Sequence, residues 1–282
     1  MSLATTWSQS MGIDVPIVNA PMGGAAGGRL AAAVCVAGGL GMVGMGSSAT
    51  ADQLKPELVH LEGFRFGIGL VHWVVQDRPD LFDVAVAARP ALLSVSFGDD
   101  WEWVRRAHDA DLTVTTQVAT VDAARRAVDA GVDVLVARGA EGGGHGEPTV
   151  GTLPLLADVL DAVDVPVLAA GGVSSARAVA AVLAAGAAAA WVGTAFAACA
   201  EALTPAPARE ALIAADGDAT ELTSEYDFAY GYRWPAHIPE RVLVGSPVNA
   251  GQGVGAVRRA ETADQIVKSL SDGAAELLGR WR

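Results

Sequence analysis

The chain has 282 residues, 51% of them hydrophobic, and a formal charge of -13 at neutral pH. That length allows one large core, as in an α/β barrel. The charge argues against nucleic acid and anionic membrane surfaces as partners. The two cysteines, Cys35 and Cys199, lie far apart in Ala/Val-rich segments. Both read as small buried apolar residues of a reducing compartment, with no disulfide.

The first nine residues are polar and lack a basic stretch followed by an apolar core, so a cytoplasmic protein is expected. Apolar strand-like runs then begin near Ile17, Leu40, Phe66, Ala91, Leu112, Val132, Val165 and Ala189. Helix-like segments separate them, among them residues 28–37, 51–61, 101–110, 121–130, 153–163 and 174–185. Several end in glycine just past the helix, at Gly38, Gly131 and Gly186, where a left-handed cap belongs. Strand and helix thus alternate eight times, and eight such units close into a (β/α)8 barrel. An open doubly wound sheet is the alternative. A dinucleotide fold of that kind wants G-x-G-x-x-G after its first strand, whereas the first run here ends in Asn19-Ala20-Pro21-Met22-Gly23-Gly24.

The Ala-rich stretch 178–200 is interrupted by Gly186, Gly193 and Thr194 and reads as helix, turn and strand rather than as a membrane span. After about residue 200 the repeat stops, giving a barrel over 1–200 and an irregular extension over 201–282 packed on it as one unit. The extension carries Tyr226, Phe228, Tyr230, Tyr232 and Trp234, which fit either packing against the barrel or a lid over its mouth. Residues 261–281 read as a terminal amphipathic helix, with Ile266, Leu270, Leu277 and Leu278 able to share a face.

In a barrel the site lies at the C-terminal ends of the strands. The sixth run feeds into Arg138-Gly139-Ala140-Glu141-Gly142-Gly143-Gly144-His145-Gly146. Bare backbone can approach a ligand closely there, and His145 adds a group that titrates near neutral pH. The seventh run ends in Gly171-Gly172-Val173-Ser174 and the eighth in Gly193-Thr194. Barrels often hold a phosphate on these two loops, through backbone N–H groups and helix N-termini. Thr194 adds a hydroxyl donor, while Ser174 is equally explained as the N-cap of the next helix. The other strand ends carry Met22, Gly69, Ser96 and Gln117, a nearly neutral lining that suits a cofactor bringing its own chemistry. His60, His72, His108 and His237 are scattered, and neither H-x3-H nor C-x2-C occurs, so no metal site is expected. No G-x-S-x-G suggests a hydrolase.

These motifs resemble the nitronate monooxygenase (2-nitropropane dioxygenase) family. The segments that carry the likeness are Pro16–Gly24, Gly139-Ala140-Glu141-Gly142-Gly143-Gly144-His145, Pro166–Val173 and Val192–Phe196, followed by the stretch from Tyr226-Asp227 to Trp234-Pro235 and by Ala250-Gly251-Gln252. The resemblance implies an FMN-dependent enzyme that oxidises alkyl nitronates with dioxygen to a carbonyl compound and nitrite. By position, Met22 and Gly23 would approach the isoalloxazine, Gln117 would face its polar edge, and Gly143, Gly171, Gly172, Gly193 and Thr194 would hold the ribityl phosphate. His145 would face a small-molecule substrate, either hydrogen-bonding a nitronate oxygen or removing an α-proton. The chain departs from the family pattern at Gly142 for Ala, at Gly69 where Asn is common, and at Arg138 where Gln is common. A cation at 138 would favour an anionic flavin or bind an anionic substrate. The same superfamily resembles NAD(P)H-dependent reductases of quinones or enoyl thioesters, which is one alternative; a flavin-binding protein without turnover, of another class, is the second. A homo-oligomer is compatible with either.

Overall fold

The computed structural model describes residues 3–280. In chain order it runs α1 (Thr6–Ser10), β1 (Ile17–Asn19), α2 (Gly28–Val36), β2 (Gly41–Gly44), α3 (Ala51–Leu58), β3 (Phe66–Val71), α4 (His72–Asp77), α5 (Pro79–Ala87) and β4 (Leu92–Ser96). It continues through α6 (Glu102–His108), β5 (Val114–Val118), α7 (Val121–Asp129), β6 (Val134–Arg138), β7 (Gly144–His145), α8 (Thr152–Leu160), β8 (Val167–Ala170), α9 (Ala176–Ala184), β9 (Ala189–Val192) and α10 (Thr194–Ala197). The extension holds α11 (Ala206–Ala214), β10 (Thr220–Thr223), α12 (Glu225–Tyr230), β11 (Glu240–Leu243) and the terminal helix α13 (Ala263–Gly279). Trp281, expected in that helix, lies outside the described residues.

Eight parallel strands form one sheet in the order β1-β9-β8-β6-β5-β4-β3-β2. The ring closes between β1 and β2 through a parallel bridge from Val18 to Leu40, which rules out the open doubly wound sheet. Ladder pairing is sparse at this seam, and buried Asn19 fills in. Its Nδ2 donates to the Met42 carbonyl at 2.8 Å, and its Oδ1 accepts from Met42 N–H at 2.8 Å. The side chain thereby acts as a short piece of strand.

Alternation along each strand divides the apolar residues into two cores. Val18, Met42, Val134, Val136, Leu168 and Trp191 point inward and fill the barrel, with Trp7 and Met11 of the N-terminal segment packed among them. Their neighbours Ile17, Val43, Leu135, Val167, Ala169 and Val192 point outward to meet the helices. The α13 helix packs against α9 and α2, with Ile266 and Leu270 buried. Thr262 and Gln265 cap its start reciprocally. Ser175, rather than Ser174, caps α9: its Oγ accepts from Ala178 N–H at 3.2 Å. Cys199 is buried, but Cys35 is only half-buried, and its thiol donates to the Arg65 carbonyl. Among the described residues no helix is long and apolar enough to cross a membrane.

A second, three-stranded antiparallel sheet runs β10-β11-β7. One of its edge strands, β7, is the histidine end of the glycine loop, so the extension is hydrogen-bonded directly to the segment that carries His145.

Candidate active site

A cavity of about 1040 Å³ opens at the C-terminal ends of the barrel strands. His145 and the ten residues expected to hold a cofactor, Met22, Gly23, Gly69, Gln117, Arg138, Gly143, Gly171, Gly172, Gly193 and Thr194, all line it. So do Tyr226, Tyr230, Tyr232 and Trp234, which places the aromatic stretch of the extension at the barrel mouth.

The glycines serve different physical needs. Gly171 and Gly172 have φ values of +114° and +65°, which favour glycine. The N–H groups of Gly172 and Val173 make no hydrogen bond among the described residues, as a turn that receives an anion requires. A Cβ on Gly193 would make only ordinary contacts, 3.7 Å from Met22 Sδ, so open space lies above it. Gly69 is different: a Cβ there would fall 2.2 Å from the Pro21 ring. The departure from Asn at this position therefore has a steric cause in this chain. Gly143 is fixed by close approach to the backbone of Ala250 and Gly251, only 2.5 Å from where its Cβ would be. Thr194 Oγ1 accepts from Gly251 N–H at 3.0 Å, leaving its own hydroxyl proton to donate.

Arg138 is 5% exposed and lies beneath the glycine loop. Its Nη2 donates to the carbonyls of Gly142, Gly143 and Gly144 at 2.8, 3.2 and 3.0 Å. Burial, reinforced by Arg241, pushes its pKa down to about 10, so it remains a cation at neutral pH. Its Nη1 is buried with no hydrogen-bond partner. Glu141 is used locally. Its Oε2 accepts from the Thr152 N–H at 2.8 Å and from the Thr152 hydroxyl at 2.6 Å, capping α8.

His145 is firmly held. Its ring stacks on Trp234 with centroids 3.6 Å apart and planes at 5°. Trp234 is braced edge-on by Trp73 and Phe97, and its Nε1 donates to Ser47 Oγ at 2.9 Å. His145 Nε2 lies 2.9 and 3.0 Å from the two oxygens of Asp227. Burial lowers the pKa of the imidazole, and the hydrogen bond to Asp227 partly opposes that shift. Glu240 stands beside them, pushed up to about 7 by burial and by the charge of Asp227. Together the three present ligating atoms within 4.8 Å of one another, the arrangement of a candidate metal cluster.

The lining is thus less neutral than the strand ends alone suggested, since Arg138, Asp227, Glu240 and Glu57 also face the cavity. Of the residues around His145, Trp234 and Asp227 fall in stretches the sequence marks. Glu240 had no signal beyond being a lone acid before an apolar strand.

An apolar-walled cavity at the C-terminal mouth of a (β/α)8 barrel, with a held imidazole and unpartnered backbone donors, defines a small-molecule enzyme site of the barrel class. The family model for nitronate monooxygenase matches residues 5–65 and 74–232. The chain belongs to the nitronate monooxygenase family and is an oxidoreductase.

Among its relatives is the (3aS,4S,5R,7aS)-5-hydroxy-7a-methyl-1-oxo-octahydro-1H-indene-4-carboxyl-CoA dehydrogenase of Rhodococcus jostii, 30% identical over 94% of this chain and 74% of that protein. The protein of the same name from Mycobacterium tuberculosis is 31% identical, and the match spans 65% of its length. The nitronate monooxygenase of Pseudomonas aeruginosa is 30% identical over 77% of this chain and 76% of that protein. Among solved structures, FabK of Thermotoga maritima superposes with a TM-score of 0.88 at 27% identity, covering 100% of this chain and 99% of that one. Nitroalkane oxidase of Streptomyces ansochromogenes gives 0.84 at 29% identity, covering 98% and 100%.

Proposed function

We propose that the protein is an FMN-dependent enzyme that oxidises alkyl nitronates, and neutral nitroalkanes, with dioxygen to a carbonyl compound and nitrite. The observation that carries this reading is His145, whose side chain is 14% exposed at the cavity and held by Asp227. The cavity suits a flavin. Its floor offers the backbone of Met22 and Gly23, and the Gln117 amide, without a side-chain partner among the described residues, suits a polar ring edge. The open N–H groups of Gly172 and Val173, with Gly171, Gly193 and Thr194 beside them, suit a phosphate. The unpartnered Arg138 Nη1 adds positive charge under the loop. FMN bound there would supply two-electron redox chemistry that none of these side chains possesses.

The chain's own part is acid–base chemistry and orientation. With its pKa lowered, the imidazole is neutral at physiological pH and ready to accept an α-proton. Trp234 fixes the ring plane, and the aromatic mouth limits water.

Replacing His145 tests the reading. The variant His145→Ala is expected to lose roughly 10²–10⁴-fold in turnover of neutral nitroalkanes. It should lose less with pre-formed nitronates at the same pH, because their α-proton is already gone. FMN content should stay near that of the parent. Equal losses on both substrates would make His145 an orienting group only, and no loss on either would remove it from this chemistry.

A second reading is reduction of an enoyl thioester or quinone by NAD(P)H. What favours it is the Rhodococcus relative, named for a CoA thioester and matched over 94% of this chain.

A further inference from the structure

The strand that carries His145 pairs with the strand that carries Glu240. The two residues are register partners in the β7–β11 ladder, so their side chains leave the same face. Asp227 arrives from α12 and completes the group, with both oxygens within 3.0 Å of Nε2. Asp227 and Glu240 are 4% and 5% exposed. Asp227 has the imidazole as its partner, while the Glu240 carboxyl makes no side-chain hydrogen bond among the described residues. Two carboxylates this near each other and this shielded from water resist being ionised together. An ionised carboxylate only accepts hydrogen bonds, so the bond to Asp227 requires the ring proton on Nε2.

We propose that Asp227 is a positioning residue that acts through His145: it fixes the ring with its proton on Nε2 and leaves Nδ1 free to accept. This rests on the reading of His145 as the base. When Nδ1 takes an α-proton, the substrate carbon keeps the electron pair and the ring becomes an imidazolium facing Asp227.

Arg138 beneath the loop acts on His145 in the opposite sense to Asp227.

The test is ¹⁵N-resolved NMR of the imidazoles in the flavin-loaded protein, with the His145 signal assigned by its absence in His145→Ala. The parent protein should show the Nε2–H tautomer. In Asp227→Ala the two tautomers should mix, and turnover of neutral nitroalkanes should fall roughly 10²-fold or more. An Nδ1–H tautomer in the parent protein, or a tautomer unchanged in Asp227→Ala, overturns the proposal. So does a divalent cation that shifts the His145 signal at micromolar concentration, since the cluster would then be a metal site. The parent spectrum decides even if Asp227→Ala fails to fold. Because the tautomer is read without turnover, a correct spectrum in a protein inert to nitroalkanes retires the nitronate reading and leaves the Asp227–His145 pair standing.

Discussion

Glu240 costs the fold stability in a pH-dependent way. Its pKa rises from an ordinary 4.5 in the unfolded chain to about 7 in the folded one. Between those values the folded state binds the extra proton, so stability declines as pH increases from about 4.5 to 7. The variant Glu240→Gln lacks that decline. Urea unfolding at pH 5 and pH 7.5 should therefore show the variant gaining on the parent by about 1–3 kcal/mol. Equal slopes in the two proteins would mean that Glu240 titrates normally. At this scale sequence reasoning had mixed reach. His145 stood out because a lone titratable group ended a glycine run. Glu240 did not, because its effect comes from a strand pairing with a residue far away in sequence, and an acid before an apolar strand looks like any surface carboxylate. Gly69 shows in the sequence only as a departure from Asn, and its cause, the Pro21 ring across the barrel seam, is visible only in the fold.

Among the elements, the glycine loop shows how a flexible sequence becomes a fixed platform. Residues 142–146 include four glycines, yet the segment is pinned from two sides. Arg138 gathers three successive carbonyls from below, and β11 pairs with Gly144 and His145 from the side. Replacing Arg138 with Met keeps the buried stem but leaves those carbonyls without their donor. We expect a loss of about 2 kcal/mol in unfolding free energy and faster hydrogen exchange at the Gly144 and His145 amides. Unchanged exchange would assign the platform to β11 alone. The eight barrel strands were legible within two residues, because hydrophobic runs ending in helix and glycine repeat along the chain. The β7–β11 pairing was not, since two residues of a glycine loop carry no strand pattern and gain their partner only from tertiary structure.

For the molecule as a whole, barrel and extension divide the labour. The barrel supplies a glycine floor and open backbone donors, and the extension supplies the groups that hold His145: Asp227, Trp234 and Glu240. Family membership follows from the sequence match but does not choose between the two proposed activities, and FabK and nitroalkane oxidase superpose on this chain almost equally well. The measurement that separates them is anaerobic bleaching of the yellow, FMN-loaded protein by a nitronate and, in parallel, by NADPH. Rapid bleaching by the nitronate, with nitrite released when dioxygen is admitted, and none by NADPH is the predicted result. Bleaching by NADPH with no response to nitronate, or a protein that takes up no FMN, would contradict it.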